Sequence, residues 1–117
     1  MTENKDDNMI VTIRMKRKVA DLFKIILIKS GMTVTEELTK HIASQSNKYK
    51  IYENNLSIED ESYSKINIRI NRELYTQYKV QMVLNHTTPT ADVIRFVLWM
   101  IEKNQDKLND IPNLKDM

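Results

Sequence analysis

The sequence has no cysteine, one glycine, two prolines and one tryptophan in 117 residues. Without cysteine there are no disulfides, no thiolate metal sites and no cysteine nucleophile. So little glycine and proline leaves few sharp turns, which argues against a many-stranded sandwich or barrel. The longest aliphatic run, Ile25-Ile26-Leu27-Ile28, falls far short of the roughly 20 apolar residues of a membrane-spanning helix. A large net charge is also missing, the formal value being +2. Histidine occurs only as His41 and His86. Neither has the neighbours of a zinc site or of a nucleophile's base, and no glycine loop could cradle phosphate. The chain reads as a non-enzyme without metal or cofactor.

What is present fits a folded single domain, with 41% hydrophobic and 29% charged residues. The first eight residues show no basic end followed by an apolar stretch, so a cytoplasmic, membrane-free protein is the expectation. The charge is unevenly spread. Residues 9–42 carry +4 and residues 65–97 carry +3, while residues 43–64 carry −2. Local clusters of Lys and Arg, more than net charge, attract phosphate, so nucleic acid is a plausible partner.

The two basic blocks are copies of one another. A shift of 55 residues lays Val11-Thr-Ile-Arg-Met-Lys-Arg-Lys-Val19 on Ile66-Asn-Ile-Arg-Ile-Asn-Arg-Glu-Leu74 without a gap. Arg14 falls on Arg69, Arg17 on Arg72, Lys24 on Lys79 and Thr33 on Thr88. Each copy opens with period-two alternation, the mark of a short half-buried strand. Val11, Ile13 and Met15 share one face, and so do Ile66, Ile68 and Ile70. No hairpin turn follows either strand, so each must pair with the other or with another chain.

After each strand the period becomes helical. Val19, Leu22, Phe23, Ile26 and Leu27 form an apolar stripe that should stop at Ser30-Gly31. Leu74, Tyr75, Tyr78 and Met82 form a weaker one that should stop at Asn85-His86. A second helix follows in each copy. Thr33-Val-Thr-Glu36 reads as a capping box, and Thr88-Pro89 sets a hydroxyl cap before a proline. The first of these helices is predicted to run to about Ser44 and the second from Ala91 to about Leu108. The resulting division is a flexible arm over 1–9, a first unit over 10–45 and a polar, solvated linker over 46–64. A second unit with an extended last helix covers 65–110, and a frayed tail covers 111–117.

Strand, helix, helix, with outward Thr and Arg or Asn and Arg on the strand, resembles the ribbon-helix-helix (MetJ/Arc) family. Gly31-Met-Thr-Val-Thr-Glu-Glu-Leu38 is similar to that family's turn into its second helix. The resemblance implies a mainly α fold with one short two-stranded antiparallel ribbon that enters the DNA major groove. Its three outward residues per strand map to Ile10, Thr12 and Arg14, and to Lys65, Asn67 and Arg69. Ile10 stands where the family has a polar residue. The family's phosphate clamp, at the amides opening the second helix, maps to Thr33, Val34 and Thr88; Pro89 has no amide hydrogen to offer.

The side-chain chemistry points the same way. Arg suits the two acceptors of guanine, and Asn suits the acceptor and donor of adenine. Thr12, Arg14, Lys65, Asn67 and Arg69 are therefore the candidate base readers. Lys16, Arg17, Lys18 and Arg72 flank the strands, where they could neutralise phosphates. The blander readings are a solvated strand face for the Arg residues and simple helix caps for Thr33 and Thr88.

A linker of this length reaches about 22–27 Å as a coil, enough for both units to pair within one chain, with residues near 11–15 against 66–70. A single-chain pseudo-dimer is the expectation. Tandem copies are similar to TraY-type accessory proteins of plasmid transfer. That suggests repeats at an origin of transfer as target, self-association on DNA and a relaxase as partner. A transcriptional repressor and an antitoxin-like interaction protein are the alternatives.

Overall fold

The computed structural model describes residues 7–111. Among these residues there are two strands and four α-helices. Strand β1 spans Asn8–Lys16, helix α1 Arg17–Lys29 and helix α2 Val34–Asn47. Strand β2 spans Tyr63–Asn71, helix α3 Arg72–Leu84 and helix α4 Pro89–Lys103, followed by a 3-10 turn at Gln105–Lys107. Every element of the second half starts 55 residues after its counterpart: 8 and 63, 17 and 72, 34 and 89.

The strands pair with each other, antiparallel, within the chain. Thr12 lies opposite Asn67, its own equivalent, so the ladder is centred on matching positions. Val11 opposes Ile68 and Ile13 opposes Ile66, two residues away from the simplest alignment of 11–15 with 66–70. Alternation then separates the faces. Val11, Ile13, Met15, Ile66, Ile68 and Ile70 are all buried against the helices. The ladder begins at Asn8, so part of the expected arm is strand. Residues 1–6 and 112–117, most of that arm and of the expected tail, lie outside the described residues.

Both first helices end in the same way. Gly31 has a φ of 69° and His86, its equivalent, a φ of 55°. The left-handed residue lets Met32 N donate to Leu27 O and Thr87 N to Met82 O, each at 2.9 Å. These are Schellman closures. Glycine adopts that conformation freely, whereas histidine does so at a cost.

Two expectations are corrected. Helix α4 stops at Lys103 instead of about Leu108. Asn104 Nδ2 donates to Met100 O at 2.7 Å and Gln105 Nε2 to Ile101 O at 2.9 Å, so side-chain amides take carbonyls that a further turn would use. The chain then folds back and buries Leu108. The connection between α2 and β2 is not a free coil either. Tyr49, Tyr52, Leu56 and Ile58 pack on the core. Asn54 Nδ2 donates to Arg95 O at 3.3 Å, and Glu102 accepts from Asn55 N at 2.9 Å, which lays the segment along α4.

Candidate nucleic-acid interface

The inward face of the ribbon is committed to the core, so its outward face is the surface left for chemistry. From one end to the other its cross-strand pairs are Asn8 with Asn71, Ile10 with Arg69, Thr12 with Asn67, Arg14 with Lys65, and Lys16 with Tyr63. All of these side chains are exposed except the half-buried Lys16. Thr12, Arg14, Lys65, Asn67 and Arg69, the five candidate base readers, thus stand together on one two-stranded surface.

Two details show what this face can do. The Thr12 hydroxyl donates to Asn67 Oδ1 at 2.6 Å. That occupies one lone pair; the second lone pair and the Nδ2 hydrogens remain the acceptor and donor that an adenine edge requires. Arg14 and Lys65 are direct cross-strand neighbours. Like charges so placed destabilise a sheet, and an anion between them would reverse the sign of that interaction.

Tyr63 is a member of this surface that sequence reasoning missed. Its ring lies 4.5 Å from the Arg14 guanidinium carbon, and it is half exposed. Continued alternation through Tyr63, Lys65 and Asn67 is the signal that could have found it. The two ends of the face differ, because the residue equivalent to Tyr63 is Asn8 and the one equivalent to Lys65 is Ile10. Ile10 is 59% exposed.

The flanking cations are arranged less simply. Helix α1 has no cap from its own N-cap residue, Lys16. Instead Asp60 Oδ2 accepts from Lys18 N at 2.9 Å, and Ser62 O accepts from Arg17 N at 2.9 Å. The backbone hydrogen bonds from Ser62 and Lys18 outweigh the small desolvation, and the Lys18 and Arg17 charges add to them. Together they hold the Asp60 carboxyl below its ordinary value. Lys16 Nζ donates to Ile58 O at 3.2 Å and lies 3.8 Å from Glu59. Two of the acidic residues 59–61, expected to be plain solvated linker, are therefore engaged: Asp60 caps α1, and Glu59 and Asp60 neutralise part of the Lys16-Arg17-Lys18 cluster. The equivalent helix α3 caps itself through Asn71, whose Oδ1 accepts from Leu74 N at 2.9 Å, and Arg72 there is exposed.

Thr33 and Thr88 act as caps. Thr33 Oγ1 accepts from Glu36 N and Thr88 Oγ1 accepts from Ala91 N, each at 3.1 Å. The Thr33 hydroxyl also donates to Glu36 Oε1 at 3.0 Å. A carboxylate therefore already sits at the start of α2 beside Val34, where the resemblance puts a phosphate.

His41 belongs to a different structure. It is buried in the core with Nε2 2.7 Å from Asp92 Oδ2. Asp92 also accepts from Tyr78 at 2.5 Å and from Gln45 at 2.8 Å. Burial pushes the Asp92 carboxyl up, but the His41, Tyr78 and Gln45 hydrogen bonds outweigh it and leave the carboxyl below its ordinary value. Burial and the bond to Asp92 push Tyr78 far up.

No group of three or more His, Cys, Asp or Glu among the described residues could hold a metal ion. No helix among them is long and apolar enough to cross a membrane. No family model, no curated protein and no solved structure matches the chain.

Proposed function

We propose that the protein binds double-stranded DNA sequence-specifically by laying the β1–β2 ribbon into the major groove. In this reading the two strand–helix–helix units act as one tandem ribbon-helix-helix pseudo-dimer. The observation that carries the proposal is the outward ribbon face. Arg14, Lys65 and Arg69 share it with Thr12 and Asn67, and the opposite face is apolar except for Ser64 near one end. A two-stranded ribbon has the width of the major groove.

On this reading Arg14 and Arg69 take guanine edges and Asn67 an adenine edge, with Thr12 steadying the Asn67 amide. Ile10 suits a thymine methyl group. The end bearing Arg14, Lys65 and Tyr63 differs from the end bearing Arg69 and Ile10, so each bound site is asymmetric. One ribbon reads only a few base pairs, too few to stand out among competing genomic sites. Several molecules on adjacent short repeats, direct as readily as inverted, supply the missing discrimination. Arg72 and the basic start of α1 contribute phosphate contacts, and Asp60 weakens the latter.

The setting we propose is accessory binding at an origin of plasmid transfer beside a relaxase, with repression at a promoter as the alternative. Selection of bound duplexes from a random pool, followed by guanine N7-methylation interference, tests the reading. Enrichment of a short G-containing motif whose binding is blocked by methylation supports a ribbon in the major groove. Retention of random duplexes without enrichment, or indifference to N7 methylation, counts against it.

A further inference from the structure

The buried polar cluster of His41, Gln45, Tyr78 and Asp92 joins the two units, and three of its four members have apolar counterparts in the other unit. Moving each residue by 55 positions turns His41 into Phe96, Gln45 into Met100, Tyr78 into Phe23 and Asp92 into Glu37. The ring geometry is nevertheless the same on both sides. His41 and Tyr78 meet edge to face at 6.4 Å and 73°, and Phe96 and Phe23 do so at 6.5 Å and 77°. His41 stacks on its own equivalent, Phe96, at 4.1 Å. One row of rings, Phe23–Phe96–His41–Tyr78, therefore crosses the seam between the units, apolar in one half and polar in the other.

We infer that this cluster makes the interface of each unit accept only the unlike unit. The first unit pairs with the second, and neither pairs with its own kind from another chain. Two second units brought together would form the row Tyr78–Phe96–Phe96–Tyr78. Asp92, with no exposed surface, would then lose His41 and Gln45 and keep only Tyr78. Two first units would form Phe23–His41–His41–Phe23. Their imidazoles would meet Glu37 in place of Asp92, a longer carboxylate whose side chain is 13% exposed and already pairs with its own Lys40 at 3.3 Å. A buried charge or polar group stripped of its partners is strongly disfavoured, whereas the unlike pairing satisfies the carboxylate from three sides. The tether alone cannot impose this choice at protein concentrations near its own effective concentration, about millimolar. The inference does not depend on what the ribbon binds.

The absence of cysteine makes the test clean. Thr12 lies opposite Asn67, so a single Thr12→Cys or Asn67→Cys chain has no thiol facing it in the observed pairing. In a like pairing of the same register, two identical thiols would face each other with Cα atoms about 4.5–5.5 Å apart, within disulfide reach. A domain-swapped dimer keeps unlike pairs and forms no such link. Each variant is refolded at about millimolar concentration in a glutathione buffer, and linked dimer is quantified. The same is done with His41→Phe, Gln45→Met, Tyr78→Phe and Asp92→Leu added together, and separately with Asp92→Asn alone.

With the cluster intact, linked dimer stays at a trace level. With the four changes it rises at least about tenfold at both position 12 and position 67, and with Asp92→Asn it rises less. Thermal melts establish which variants fold, and should the fourfold variant not fold, Asp92→Asn decides. Linked dimer as abundant with the cluster intact, or no rise in any folded variant, overturns the inference.

Discussion

Ile68 and Arg69 are adjacent in the chain and opposite in environment. Ile68 is 1% exposed on the core side, and Arg69 projects from the outer face. Ile68→Ala should therefore destabilise the fold by about 2–5 kcal/mol, seen as a lower melting temperature. Asn67→Ala should leave the melt nearly unchanged and remove about 1–3 kcal/mol of specific DNA binding. His86→Gly should stabilise by about 1 kcal/mol, because glycine takes a positive φ without the penalty histidine meets; a thermal melt checks it. Asp92 gives a pH dependence whose sign is fixed. Its carboxyl is held below the ordinary value in the folded chain, so the unfolded chain takes up that proton first on acidification. The stabilisation is complete above the unfolded value, about 3.9, and is lost as pH falls through the lower folded value. Asp92→Asn should melt below wild type at neutral pH, and the difference should shrink on acidification. The strand residues were legible from alternation alone. The Asp92 cluster was not, because its members sit on three separate helices, α2, α3 and α4, and only packing brings them together.

At the scale of elements, the features written locally were the readable ones. Period-two runs marked both strands, and Thr33 and Thr88 marked the starts of α2 and α4. Ser30-Gly31 and Asn85-His86 marked the ends of α1 and α3. What escaped was non-local or competitive. The cap of α1 comes from Asp60, 42 residues from Lys18, and nothing near α1 announces it. The connection from α2 to β2 packs through irregularly spaced Tyr49, Tyr52, Leu56 and Ile58, which match neither a helical nor a strand period. Asn104 and Gln105 end α4 through side-chain bonds that the apolar pattern does not encode. A differential outcome follows from the unequal caps. Asp60→Ala should speed amide hydrogen exchange at Lys18 and through the first turn of α1. The first turn of α3, capped by Asn71, should be unaffected, and hydrogen-exchange NMR on one sample reads both.

For the molecule as a whole, the duplication, the intramolecular ribbon and the polar seam give one consistent picture. A gapless 55-residue offset in the sequence becomes an antiparallel ladder centred on Thr12 and Asn67. The seam holds unlike halves together, so the outward face is asymmetric. If that face reads DNA, binding combines a salt-dependent phosphate part with a base-specific part. Arg69 is the residue at which the two can be separated. The most direct test is a titration of wild type and Arg69→Ala against a selected duplex and a scrambled one at fixed salt. The variant should lose about 1–3 kcal/mol on the selected duplex, with little change on the scrambled duplex beyond the weak effect of one lost charge. Equal affinity of the two proteins for the selected duplex would mean that the ribbon does not read base edges.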